Sequence, residues 1–390
     1  MQNFEFYSPT KIFFGKKTEE KIADYIKEFD GVRVLLHYGQ GSAVKSGLIG
    51  VIKQNLRDND MYFTELAGVI PNPRLSLVEE GIDLCKEHKI DFILAVGGGS
   101  VIDSAKAIAV GVEEEGELWD FFLRKRDVTK ALPIGCVLTI ASAGSEASNS
   151  CVIRNEDENV KRGILSDIIR PRFAVLNPVL TFGVTGYQLA CGISDIIMHT
   201  LDRYFTDVKD TYLTDKISES ILTTAMKFGR LSLEDPFNYE VRANLMWAGC
   251  LSHNTLTELG KPRDFSVHAM ERGISGYYDT AHPAGLTILW PGWARHVYKQ
   301  DLPRFCQYAV NVMHAEMNYE NPIETAIEGI RRTEAYFRNI GMPTTFSDAN
   351  IFPTSERIEE IANFATVGGT IGTFAKLYKE DVINIIKDVL

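Results

Sequence analysis

Short apolar runs in the first half of the chain alternate with stretches whose apolar residues recur every three to four positions, as strands alternate with helices around a parallel sheet. Residues 32–37 and 61–66 read as strands, and the patterns over about 43–57 and 74–88 that follow them read as helices. Residues 91–96 are apolar after the first, as a strand covered on both faces must be. That run leads directly into Gly97-Gly98-Gly99-Ser100 and a helical pattern over 101–110. Residues 134–139, 150–154, 160–165 and 173–176 are further expected strands. Beyond Thr181 the β signal fades, and 211–231, 240–259, 323–339 and 356–364 carry helical periodicity. An α/β first half and a mostly helical second half follow. Asn177-Pro178 marks the seam, because a residue before proline is pushed out of the helical region. With no Ser/Gly-rich linker, repeat or low-complexity tract between them, the halves are expected to pack closely and leave a cleft for a ligand.

Composition narrows the partners. The 390 residues are 45% hydrophobic and 24% charged, enough chain for two domains with substantial cores. Acidic residues outnumber basic ones by 52 to 41, and a net charge of -11 repels nucleic acid and anionic lipid alike. The longest uncharged stretch, 173–194, is broken by Asn177, Pro178, Gly183, Gly186 and Gln188, so no membrane span is expected. The first residues have neither the basic nor the apolar segment of an export signal. Six cysteines stand singly without a Cys-x-x-Cys pair, which suits buried thiols in a reducing, cytoplasmic compartment.

Two segments carry candidate chemistry for a phosphate. Three glycines between a buried strand and a helix let backbone approach a ligand, and the helix start offers unpaired N–H donors to a pyrophosphate. The pattern is not Gly-x-Gly-x-x-Gly, and a tight strand-to-helix turn explains it equally well. A second segment, 139–146, is rich in small and hydroxyl residues but weak taken alone.

The histidines say more. Asp195 and His199 lie four apart on one face of an expected helix, and His268 and His282 follow, separated by a helix end and connection around 273–278. One carboxylate and three imidazoles suit Fe²⁺ or Zn²⁺ and poorly suit Mg²⁺ or Ca²⁺. His37, His88, His253, His296 and His314 lack comparable partners and read as ordinary histidines. Trp290 and Trp293 fit a substrate pocket and helical core packing equally well.

Taken together, these residues resemble the iron-containing, group III alcohol dehydrogenases, most closely the butanol dehydrogenase branch. The carriers are Gly97-Gly98-Gly99-Ser100 with Asp103 and Lys106, Thr139 with Gly144-Ser145-Glu146, Arg170-Pro171 with Asn177-Pro178, Asp195 with His199, and Phe265 and His268 through His282. The resemblance spans nearly the whole chain. It implies a Rossmann-like dinucleotide-binding domain over 1–179 and an all-helical metal and substrate domain over 180–390. Asp195, His199, His268 and His282 match the family's metal ligands, with His268 and His282 also assigned catalytic roles beside Asp103, which matches a position near the nicotinamide. Gly97, Gly98, Gly99 and Ser100 match the pyrophosphate loop, Thr139 and Ser142 the second nucleotide segment, and Lys161 a ribose-side lysine. Where NAD-using relatives carry an Asp after the second strand, this chain reads Tyr38-Gly39-Gln40-Gly41-Ser42, then Lys45. With no carboxylate there, Gly39, Gly41, Ser42 and Lys45 favour NADP(H) over NAD(H).

The implied activity is hydride transfer between NADP(H) and a primary alcohol or aldehyde of butanol type, in an assembly of two or more copies. A glycerol or diol dehydrogenase of the same fold is the alternative, with a metal-dependent hydrolase and a non-catalytic nucleotide-binding protein behind it. Two positions depart from many relatives: Ala143 replaces a Thr, and Arg272 replaces a His associated with proton transfer.

Overall fold

The computed structural model describes residues 1–184 and 186–390, apart from the side chain of Ser42. The chain forms two compact units. One comprises Tyr7–Thr185 and Pro236–Asn254; the other comprises Met1–Phe6, Gly186–Asp235 and Thr255–Leu390.

The first unit is built on a six-stranded parallel sheet in the order β1-β8-β5-β4-β2-β3. The strands are β1 (Lys11–Phe14), β2 (Arg33–Gly39), β3 (Tyr62–Val69), β4 (Phe92–Gly97), β5 (Ile134–Leu138) and β8 (Phe173–Leu176). All six residues of β4 are buried, which is why that run contains no polar side chain. Tyr38 of β2 pairs with Val96 of β4, and Gly97 pairs with Leu138 of β5. The carboxyl ends of these three strands therefore lie side by side. Chain order reverses between β2 and β4, the position where open parallel sheets bind ligands.

Three departures from the pattern have local causes. The helix expected over 43–57 is two helices, Ser42–Lys45 and Leu48–Asp58, because Gly47 sits in the left-handed region at φ 79° and restarts the chain. The helix expected over 240–259 stops at Ser252. Thr255 then turns left-handed at φ 76° and begins a short 3-10 turn, Leu256–Glu258. β6 (Ser150–Asn155) and β7 (Val160–Leu165) leave the main sheet and pair antiparallel with each other.

The second unit is helical, with only the isolated bridge between Ile371 and Leu377. Its core is aromatic: the Phe205 ring lies 4.5 Å from Phe305, 5.5 Å from Trp293 and 5.4 Å from Tyr308. Trp290 and Trp293 are fully buried among these rings, so core packing accounts for both. Among the described residues no helix is long and apolar enough to cross a membrane.

Candidate metal centre

Helix Gly186–Tyr204 packs its apolar face, Leu189, Ile193, Ile196 and Ile197, into the helical unit. Asp195 and His199, one turn apart, are buried with it. His268 lies in the first turn of helix Ser266–Tyr278 and His282 opens helix His282–Val297. Residues 273–278, expected as a connection, are the last turns of the first of these helices. The reversal is confined to 279–281, where Asp279 takes φ 47°. This short corner brings His282 back beside His268, with ring centroids 5.3 Å apart.

One ligand-type atom from each of Asp195, His199, His268 and His282 lies within 4.8 Å of the corresponding atoms of the other three. Asp195 Oδ1 and His199 Nε2 are 3.6 Å apart. Two ligands 2.0–2.1 Å from one tetrahedral ion would stand about 3.4 Å apart, so the spacing suits a shared cation better than a direct hydrogen bond.

Surrounding carboxylates orient the imidazoles. His268 Nδ1 lies 2.5 Å from Asp202 Oδ2, and His282 Nδ1 hydrogen-bonds Glu271. Burial, reinforced by neighbouring cationic groups, holds His199 and His268 well below the usual imidazole range, and burial pushes Asp202 up to about 7. A neutral His268 donates its Nδ1 proton to Asp202, which leaves the Nε2 lone pair facing the cluster. That Nε2 is buried and has no hydrogen-bond partner among the described residues. A buried nitrogen lone pair is costly unless something accepts it, and a divalent cation of the borderline class fits both the pair and the donor set. The side chain of His282 is 27% exposed against 5–8% for the other three, so the cluster opens on that side. A cavity of about 470 Å³ adjoins the start of helix His282–Val297, lined by Tyr187, Thr280, Ala281, Ala284, Arg338 and Met342 among others.

In the sheet unit, Gly98 is the N-cap residue of helix Gly99–Glu113 and, having no side chain, leaves the first amides uncapped by its own position. A β-carbon on Gly97 would stand 2.4 Å from Val101 Cγ2, and one on Gly98 would stand 2.4 Å from Ile140 Cγ2. Close packing of the turn therefore accounts for these two glycines. At Gly99 the nearest atom is 3.8 Å away, so the open approach belongs to Gly99. Thr139 is buried, and its amide donates to the Gly97 carbonyl at 3.0 Å, joining the two candidate segments. Ser142 is half-buried.

Asp103 Oδ1 accepts from Ser145 Oγ at 2.7 Å and Oδ2 accepts from the Val152 amide at 3.0 Å. Burial raises its pKa, opposed by Lys106 and, from β7, by Lys161. Lys106 is itself fully buried and donates to the carbonyls of Ser145, Ser148 and Ser150 at 2.7–3.0 Å. Gly39 ends β2, where a β-carbon would meet the Val69 carbonyl at 3.1 Å, whereas Gly41 is open to 4 Å and Lys45 is exposed. The Ser42 side chain lies outside the described residues.

Asp202, Glu271 and Phe265 were not singled out as site residues from the sequence, although two of them carry a readable signal. Asp202 continues the Asp195/His199 face at i+7, and Glu271 stands at i+3 from His268. Arg272 is half-buried and its charge helps to hold the His268 pKa down.

The family described as Iron-containing alcohol dehydrogenase matches residues 9–178, and Fe-containing alcohol dehydrogenase family, C-terminal, matches residues 189–390. NADH-dependent butanol dehydrogenase A of Clostridium acetobutylicum is 42% identical over 390 residues, covering 99% of each chain. NADPH-dependent aldehyde reductase YqhD of Escherichia coli is 33% identical over 352 residues, covering 89% of each. The crystal structure of NADH-dependent butanol dehydrogenase A from Thermotoga maritima matches with a TM-score of 0.95 at 35% identity, over 100% of this chain and 99% of that one.

Proposed function

This chain belongs to the iron-containing alcohol dehydrogenases, and from that premise we propose that it transfers hydride between NADP(H) and a primary alcohol/aldehyde pair of butanol/butanal size. Asp195, His199, His268 and His282 would hold one Fe²⁺ or Zn²⁺. The observation that carries this reading is the convergence of these four within 4.8 Å around a buried Nε2 that has no hydrogen-bond partner among the described residues. When bound, the cation supplies Lewis acidity and the nicotinamide supplies the redox step.

The chain's own groups do the positioning. Asp202 and Glu271 hold the Nδ1 protons of His268 and His282, so that both Nε2 lone pairs stay available. Gly97, Gly98, Gly99 and Ser100 present the helix start to the pyrophosphate, and Thr139, Ser142 and Lys161 line the rest of the nucleotide. Asp103, with both oxygens engaged, shapes the nicotinamide end through Ser145 and Val152. A guanidinium at Arg272 lacks the imidazole's paired donor and acceptor nitrogens, so it does not substitute for a histidine in a proton relay. Residues 1–179 serve the dinucleotide and 180–390 the metal and substrate, although 1–6 fold with the helical unit and 236–254 with the sheet unit, in a cytoplasmic enzyme that works as a dimer or larger assembly.

NADP(H) is favoured because 38–46 contains no carboxylate to repel a 2′-phosphate, while Lys45 can pair with one. NAD(H) is the second reading, favoured by the NADH-dependent names of the butanol dehydrogenase relatives. Butanal reduction assayed with both reduced nicotinamides decides: the proposal expects at least a tenfold higher kcat/KM with NADPH. Gly41→Asp is the clean variant, since a β-carbon there meets no protein atom within 4 Å, and it should move the ratio toward NADH by about tenfold through like-charge repulsion. Equal use of both cofactors by both proteins would remove the NADP argument. Turnover confined to glycerol or diols would replace the substrate class.

A further inference from the structure

Phe265 precedes helix Ser266–Tyr278 as its N-cap residue, with φ 55° and ψ 18°. An aromatic residue rarely takes this left-handed backbone, and such strain persists where the surroundings over-determine it. Here they do. The amide of Asp264 donates to the Asp202 carbonyl at 2.8 Å. Its Oδ1 accepts from the amides of Thr373 and Phe374, both at 2.8 Å, and its Oδ2 from the amide of Ser266 at 3.1 Å.

The strained backbone delivers the Phe265 ring to 4.7 Å from the His268 ring and 5.9 Å from the His199 ring, centroid to centroid. The guanidinium of Arg203 stands 4.7 Å from the same ring and that of Arg263 stands 5.2 Å from it. Arg203 is fixed in turn: its Nη1 donates to the His199 carbonyl at 2.7 Å and its Nε pairs with Glu258 at 2.9 Å. Two imidazoles of the cluster thus pack against one ring that is anchored by two cations and by a backbone held from both sides.

We propose that Phe265 is a positioning residue for the metal centre, its left-handed backbone setting a ring that fixes the planes of His199 and His268; this rests on reading those two as ligands. Asp202 fixes where the His268 Nδ1 proton points, and Phe265 restricts the tilt that this single hydrogen bond leaves open. Phe265→Gly is the discriminating variant, because glycine relaxes the backbone while it deletes the ring. Apoprotein is titrated with Co²⁺ in competition with a chelator, and the visible bands of the bound ion are recorded, with His268→Ala as control. The expected result is a folded Phe265→Gly protein whose Kd for Co²⁺ rises 10- to 100-fold with shifted bands, the range seen when groups that orient metal ligands are lost.

A wild-type Kd and wild-type bands in Phe265→Gly, with binding lost in His268→Ala, would overturn the proposal and leave the ligand reading standing. Wild-type binding in His268→Ala would overturn the ligand reading and the proposal with it. If Phe265→Gly does not fold, Phe265→Leu decides: altered bands with several-fold faster Co²⁺ release support the ring's role, and unchanged bands and release refute it.

Discussion

The helical unit and the sheet unit each offer a place for a charged group, and they are built of different material. In the helical unit the groups are side chains: four residues from three helices converge, and carboxylates behind them set the orientation of two imidazoles. In the sheet unit the groups are backbone amides at the start of a helix, shaped by glycines that close packing requires. A side-chain site fails when one residue is removed. A backbone site fails when the turn that shapes it is displaced.

Removing a ligand should break the comparison most sharply. His268→Ala should weaken metal affinity by more than about 100-fold, exceeding the loss expected from an outer partner, and abolish turnover. The sheet unit should still bind NADPH. Metal analysis after gel filtration and fluorescence titration with NADPH read the two effects separately, and parallel loss of both would erase the distinction.

Glu271→Gln keeps shape while removing the charge behind His282, so metal affinity should fall about 10- to 100-fold. Chelator competition measures it, and an unchanged Kd would show that the carboxylate has no orienting effect.

Gly98→Ala tests the other material. Its methyl must displace Ile140, a clash of the kind that costs about 1–3 kcal/mol, and KM for NADPH should rise while metal content stays at the wild-type level. Thermal unfolding and cofactor titration give both numbers, and a lost metal would contradict the prediction.

A smaller effect comes from His37, buried in β2 with Nδ1 on the Leu66 carbonyl at 2.9 Å and Nε2 on Ser104 Oγ at 2.8 Å. Burial holds it down at about 4. The unfolded chain takes up this proton near pH 6.5 and the folded chain only near 4, so stability is full above 6.5 and is lost as pH falls toward 4. Between pH 7 and 5 that loss is about 2 kcal/mol. Unfolding of His37→Gln measured across this range should show a correspondingly flatter pH dependence, and an unchanged slope would assign the acid sensitivity elsewhere.

The same difference in material decided what could be read from the chain. Side-chain ligands announce themselves by residue type and spacing, so Asp195, His199, His268 and His282 stood out once the i, i+4 pair was seen beside two further histidines. Apolar runs marked β2, β4 and β5 because fully or largely buried strands leave little room for polar residues, whereas β3 is mostly half-buried and keeps Thr64 and Glu65. What escaped was set by tertiary neighbours. The four residues of β1 form a strand because β8 offers an edge. Gly47 interrupts a helix that apolar spacing alone would continue. Gly97 and Gly98 left a ligand cradle and a tight turn equally open in sequence, and the contacts of Val101 and Ile140 supply the packing reason for the turn. Asp202 and Glu271 were within reach of helical spacing, but a carboxylate behind a histidine is ordinary until the histidine is known to face a buried cluster.

X-ray absorption at the metal edge of protein reconstituted with a single Zn²⁺ tests the central claim most directly. One ion per chain, with three imidazole nitrogens and a carboxylate oxygen at about 2.0–2.1 Å, is the predicted result. Sulfur in the first shell, fewer than three imidazoles, or an identical spectrum from His268→Ala would contradict it.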